Sequence, residues 1–385
     1  MSHQNSIFKQ ILQIIPRHEF EKSVRKHKGD FASKGFSCWE QFVSMLYAQL
    51  SGQTGLRGIE TGLESNRNAM YHLGVKQIKR STLSYANNHR SSEVFHAVFE
   101  NLLGKVLNLN REHKFRFKNP LYSVDASTID LCLSLYDWAT FRKRKGGIKL
   151  HVKLDHKGYI PAFVSVTTAK QHEISELRKM EFQKGDVVTF DRGYNDFNLF
   201  AKYCTEGIYF VTRLKKNADY TVVERKDVSS YTTISSDHII KMNGFYTSKK
   251  CPLKLRRIRS KDPETGKHIV ILTNNFSWSP NTIAAVYKDR WQIEIFFKAM
   301  KQNLKIKSFL GTSRNALMIQ IWIALIAFLM LKYFQLLSSR KWTPFSLMKL
   351  VPTILFSYHD IWTLLNKAPP SGRHVQSFDP QLVLL

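Results

Sequence analysis

No Gly or Pro interrupts the sequence between Pro280 and Gly311, and Ser279 ahead of it is a ready N-cap, so one long helix is expected there. At about 100° per residue, Tyr287, Arg290, Glu294, Lys298 and Lys301 fall in a sector of roughly 80° on that helix. The neighbouring sector holds Val286, Ile293, Phe296, Phe297, Met300 and Leu304, enough apolar surface to bury the helix against a core. The polar stripe then runs along the rim of that core. A solvated face laced by ion pairs is the ordinary use of such a stripe. One carboxylate among three cations, with Tyr287 and Trp291 beside them, fits a phosphate-gripping surface better. A lone carboxylate needs partners before it can do metal chemistry.

Charge sets the class of partner. The 385 residues carry 58 Lys and Arg against 30 Asp and Glu, a net +28. Such an excess, without dominant basic amphipathic helices, points to nucleic acid rather than a membrane surface. With 43% hydrophobic residues, the chain can build a large core in two or three domains. Cys38, Cys132, Cys204 and Cys251 are scattered, which indicates neither a zinc site nor a disulfide framework and suits a reducing cytoplasm. The N-terminus lacks a signal-peptide core, so the protein is expected to stay inside the cell. Ala316–Phe334 is mostly apolar, but its unbroken run, Ile321–Leu331, is too short for a bilayer and is expected to be a buried core helix.

Taken in order, residues 1–110 show helical periodicity, strongest over Cys38–Leu50, with further segments over Ile7–Ile15, His18–Lys28, Ile59–Leu63, Ser81–Asn88 (capped by Ser81) and Ser92–Leu107. Arg80, Asn87, Asn88, His89 and Arg90 give this module a basic edge of the helix-turn-helix kind; a packing domain with ordinary surface charge fits equally well. From Leu121 the pattern changes to short strands. Leu121–Val124 ends in Asp125, Ile148–Leu154 and Ile160–Thr167 flank an Asp155–Gly158 turn, Val187–Phe190 ends in Asp191, and Ile208–Thr212 follows. Residues 213–275 hold β-like pieces rich in Lys and Arg, expected to form a basic β insertion before the long helix. A helical tail occupies residues 336–385.

Asp125, in Ser-Val-Asp-Ala-Ser-Thr, and Asp191, in Thr-Phe-Asp-Arg-Gly-Tyr, each follow a strand. With Glu294 they supply three hard oxygen donors of the kind Mg²⁺ or Mn²⁺ prefers; two such ions suit phosphodiester cleavage and transfer. Each Asp alone would be an ordinary turn residue, so the inference rests on the set. Tyr287, Arg290, Glu294 and Lys301, at spacings of three, four and seven, resemble the Tyr-Arg-Glu-Lys signature of the insertion sequence 4 family of DDE transposases. The contexts of Asp125 and Asp191, 66 residues apart, and the 103 residues from Asp191 to Glu294 are similar to that family's other acidic motifs.

The resemblance implies an α/β, ribonuclease H-like core, residues 119–212 and 276–335, interrupted by the β-rich insertion at 213–275. It implies that Asp125, Asp191 and Glu294 bind two Mg²⁺ ions, with Mn²⁺ able to substitute, and that Tyr287, Arg290 and Lys301 contact phosphates. The partners it implies are double-stranded DNA, as element ends and target, and a second copy of the chain in a synaptic dimer. Further expected DNA contacts are Lys298, the cationic loop Arg142, Lys143, Arg144 and Lys145, and Lys149 and His151, which share a strand face with Lys153. Trp291 or Trp278 is a candidate to hold a flipped base, and each fits a core position as well. His172 is either near the metals or a helix cap, and Arg192 either pairs with Asp191 or touches DNA. Two other readings share these features: a nuclease without strand transfer, and a domesticated DNA-binding protein.

Overall fold

The computed structural model describes residues 5–31, 33–109, 112–132, 134–142, 145–244, 249–262, 266–302 and 310–366. Seven helices come first: α1 (Ile7–Leu12), α2 (Arg17–Lys26), α3 (Cys38–Ser51), α4 (Leu56–Glu64), α5 (Arg67–Leu73), α6 (Arg80–His89) and α7 (Glu93–Leu107). Helix α3 starts where expected because Ser37 and Glu40 form a reciprocal capping box, and it ends at Gly52 in the left-handed region, φ 72°. Helix α6 is not capped by Ser81; Lys79 holds that position without a side-chain bond, and the Arg80 amide is satisfied by Glu60.

Among the described residues one ten-stranded mixed sheet carries the rest of the fold. Its strands are β1 (Leu121–Leu131), β2 (Thr140–Arg142), β3 (Lys145–Asp155), β4 (Ile160–Thr168), β5 (Val187–Phe190), β6 (Tyr209–Arg213), β7 (Tyr220–Lys226), β8 (Ile234–Met242), β9 (Leu255–Lys261) and β10 (His268–Thr273). They run in the order β2-β3-β1-β5-β6-β10-β9-β8-β7, with β4 on β3. The centre is parallel, β1 with β5 and β5 with β6, and β5 is buried along its whole length, as parallel strands covered on both faces are. The strands of residues 213–275 continue this same sheet, because β10 pairs antiparallel with β6.

Strand β1 does not stop before Asp125. It pairs with β3 through Leu131, so Asp125 lies within the strand and pairs with Val152. The segment Ala126–Asp130 lacks a strand-like apolar pattern, and the ladder to β3 overrides that weak local preference.

Helices α8 (Glu173–Leu177) and α9 (Phe197–Glu206) cover one face of the sheet, packing on Val124, Val188, Phe190 and Phe210. Helix α10 (Pro280–Asp289) covers the other through Leu121, Val187 and Val211. The expected single helix is therefore broken, and α11 (Gln292–Gln302) follows after Arg290 and Trp291. At the break, the amides of Arg290, Trp291, Ile293 and Glu294 each donate to the carbonyl three residues back, at 3.0–3.2 Å. This tightened turn lets Asp289 face inward while Arg290 faces the sheet.

Helix α12 (Arg314–Leu337) is the one described helix long and apolar enough to cross a membrane, but 89% of its most apolar window is buried in the protein. It is a core helix. Its N-cap is Ser313, and Asn315 ties it to the α6–α7 junction by donating to the carbonyls of Asn87 and Arg90 at 2.9 and 2.6 Å. The largest apolar cluster runs from α1–α7 through α12 to β1, β3 and α11, so the helices and the sheet share one core. Helices α13 (Pro344–Ile354) and α14 (Ile361–Asn366) close over α12.

Candidate active site

Two of the expected acids meet through strand register. Val124 pairs with Phe190 across β1 and β5, so Asp125 and Asp191 are the next residues on adjacent parallel strands, which lie about 4.8 Å apart. Side chains alternate, and Leu121 and Val187 face α10 while Val124 and Phe190 face α9. Asp125 and Asp191 are even numbers of residues from Leu121 and Val187, so both share the α10 face. The place is the carboxyl end of parallel strands, where open α/β sheets bind ligands.

Glu294 reaches the pair through Arg290. The Arg290 guanidinium donates to Asp125 Oδ2 at 3.3 Å and to Glu294 Oε1 at 2.7 Å, and its side chain is 13% exposed. A fixed cation thus sits between two of the three carboxylates. Burial pushes the Asp125 carboxyl up to about 6; Glu294 and Glu173 add to the rise, while Arg290 and the Ala126 amide oppose it. Tyr287 is buried, with the Arg290 guanidinium 5.8 Å from its ring centroid, and burial raises its phenol above the ordinary value. Lys301 donates to the Thr128 carbonyl at 2.8 Å, which anchors α11 on β1. Lys298 and Trp291 are exposed beside them, Trp291 at 40%.

Other expected contacts are placed differently. Lys149 and Lys153 share a face with His151, but that face is occupied. Lys149 pairs with Glu173 at 3.2 Å, and Lys153 lies over Tyr122 and Phe182. His151 is buried and bonded to Thr167 at 2.8 Å, and burial lowers its imidazole to about 4. Arg142 and Lys145 pair at the hairpin of β2 and β3, while Lys143 and Arg144 lie outside the described residues. Trp278 stacks on Phe117 at 4.0 Å, a packing role. His172 is exposed at the α8 N-cap position without a side-chain cap bond.

Three residues at the site had no sequence signal of their own. Glu173, a fourth carboxylate, lies 3.8 Å from where a Cβ on Gly193 would sit, and its charge raises Asp125. The Tyr194 hydroxyl is buried without a partner, and burial first and then the charges of Asp125, Glu173 and Asp191 keep it protonated. Asp289, next to Arg290, is buried in a polar network of its own. Beside Asp191, a cleft of about 410 Å³ is lined by Arg192, Gly193, Lys215, Lys216 and Asn217. Asn195 holds its two walls together by donating to the Arg213 carbonyl at 2.9 Å and accepting from Thr212 at 3.0 Å.

The donor set suits a hard divalent cation, since every candidate ligand is a carboxylate oxygen, at the carboxyl end of the central parallel strands or on the helix beside them. As the side chains stand, no group of three or more His, Cys, Asp or Glu residues among those described is close enough to hold an ion. Between Asp125 and Glu294 the Arg290 guanidinium supplies the positive charge.

Comparison with known proteins decides the family. The Transposase DDE domain matches residues 116–330, which contain all three acids and Arg290. The chain belongs to the DDE transposase family. Residues 3–76 of this transposase match a second family, a domain of unknown function, DUF4372. The chain is 31% identical over 296 residues to y4zB of Sinorhizobium fredii, described as a transposase, covering 76% of this chain and 82% of that one. It is 27% identical to the transposase described for insertion sequence element IS5377 of Geobacillus stearothermophilus, covering 68% of each chain. Over 54 residues it is 44% identical to a transposase described for insertion sequence element IS4SA of Synechocystis, covering 14% of this chain and 16% of that one.

Proposed function

We propose that this DDE transposase, of the insertion sequence 4 type, binds the terminal inverted repeats of its own element, hydrolyses a DNA strand and joins the freed 3′-OH to target DNA. The observation that carries this reading is that Asp125 and Asp191 each directly follow the last registered pair, Val124 and Phe190, with Glu294 tied to Asp125 through Arg290. Asp125, Asp191 and Glu294 would hold two Mg²⁺ ions, for which Mn²⁺ substitutes. Bound there, the metals would supply charge to activate the attacking oxygen and stabilise the leaving one.

The chain's own residues bind and orient the DNA. Exposed Lys298 and half-buried Lys301 present positive charge along the α10–α11 edge beside the largely buried Arg290, and Trp291 offers an exposed ring there. Arg192, Lys215 and Lys216 line the cleft next to Asp191, form no ion pair with any described residue, and suit the phosphates of the strand entering the site. Tyr287 holds the Arg290 guanidinium over its ring and fixes where that charge points.

In this reading residues 119–212 and 276–335 form a ribonuclease H-like core, 213–275 extend its sheet over the DNA, 1–110 recognise the repeat, and 336–385 complete the fold. Two copies pair the two ends in a synaptic dimer, and the protein works in the bacterial cytoplasm on the nucleoid. A nuclease would use the same acids, and the product separates the two. Incubated with Mg²⁺, a labelled DNA ending in the element's own repeat and an unlabelled target, the chain is expected to cut at the repeat boundary and yield labelled joined product. Cutting that ignores the repeat and yields no joined strand would replace transposase with nuclease. Binding without cutting would leave a DNA-binding protein.

A further inference from the structure

A hydrogen-bonded array behind the acids links the strand bearing Asp125 to the turn bearing Arg290. Ser123, two residues before Asp125 on the same face of β1, lies 2.6 Å from His156 Nε2. His156 Nδ1 lies 2.7 Å from Asp289 Oδ2, and Asp289 immediately precedes Arg290. An ionised carboxylate only accepts, so His156 Nδ1 donates to Asp289, and Nε2 and the Ser123 hydroxyl share the second hydrogen bond. Asp289 also accepts from Lys114 at 2.6 Å and Tyr159 at 3.3 Å. Burial would raise its carboxyl, but the His156 and Lys114 bonds outweigh that and hold it below the ordinary value.

The order Ser-His-Asp invites comparison with a hydrolase triad, but no substrate can reach it. Ser123 is 0% exposed, His156 1% and Asp289 4%. A closed array of this kind fixes geometry. Its two ends are the backbone two residues before Asp125 and the residue immediately before Arg290, which grips both Asp125 and Glu294.

We propose that Ser123, His156 and Asp289 are positioning residues that set the separation of Asp125 from Arg290 and Glu294. This rests on the reading of Asp125, Asp191 and Glu294 as the catalytic centre. Residues one layer behind a metal site typically change metal affinity or activity by about 10- to 100-fold when replaced.

The test compares His156→Gln and Asp289→Asn with the natural chain in two readouts: single-turnover cleavage on saturating repeat DNA, and Mn²⁺ binding to the free protein by electron paramagnetic resonance. Variants that keep their circular dichroism and DNA affinity are expected to cut about 10- to 100-fold more slowly and to bind Mn²⁺ about tenfold more weakly. Unchanged values in a folded variant, or a rate loss matched by lost DNA affinity, would overturn the proposal. Should both variants misfold, Lys114→Ala and Tyr159→Phe, which remove only outer bonds to Asp289, are expected to give smaller losses in both readouts; no loss in either would overturn it. If the natural chain cuts no DNA, the functional reading fails, and the Mn²⁺ comparison still decides this one.

Discussion

Arg290→Ala is expected to destabilise the metal-free protein by about 3 kcal/mol at pH 7 and to slow DNA cleavage by about a hundredfold. The guanidinium bonds Asp125 and Glu294 together, and all three side chains are wholly or partly shielded from water. Without it the two carboxylates face each other uncompensated, and the Asp125 carboxyl moves still further above about 6. The sign of the pH effect follows. A carboxyl whose folded pKa is raised stabilises the fold fully below its ordinary value of 3.8 and loses that contribution as pH rises through about 6. The deficit of the variant should therefore be small near pH 4 and large at pH 7. A divalent cation supplies the missing charge, so Mn²⁺ should raise the melting temperature of Arg290→Ala more than that of the natural chain. Equal melting temperatures in chelator at pH 7 would show that the guanidinium does not hold the acids.

Lys332→Met is expected to stabilise the protein by about 3 kcal/mol at pH 7. Lys332 sits within the apolar helix α12, 3% exposed, with Gln335 Oε1 at 2.7 Å and the Tyr159 ring at 6.0 Å. Burial lowers its ammonium from 10.5 to about 7. Between these values the unfolded chain holds a proton that the folded chain does not, so stability rises with pH across that window and is lowest at and below about 7. The gain from Met should therefore shrink when unfolding is measured at pH 10. A variant less stable than the natural chain at pH 7 would mean that the bond to Gln335 outweighs the burial of the charge.

The placing of Asp125 and Asp191 on strands was legible because each follows a run of β-favouring residues, and strand register then makes the two neighbours. The burial of α12 was legible from the length of its apolar run. The break at Arg290 was not. Apolar residues keep a helical period through Val286, Ile293 and Phe297 with no Gly or Pro, and the break is imposed by what Asp289 and Arg290 reach across space. Lys149, His151 and Lys153 do alternate on one face, but alternation does not say what covers that face, and α8 with Phe182 does. His156 looked like part of a turn because its partners, Ser123 and Asp289, are 33 and 133 residues away in the chain.

Glu294→Gln tests most directly whether the three carboxylates act as one catalytic centre. The change keeps the size of the side chain and removes one charge, with DNA cleavage at the repeat boundary measured against DNA affinity in Mg²⁺ and in chelator. The expected result is metal-dependent cleavage and joining by the natural chain, a loss of about a thousandfold or more in the variant, and DNA affinity equal within about twofold. Cleavage that persists in Glu294→Gln, or that proceeds equally in chelator, would show that the three carboxylates are not a metal-dependent catalytic centre.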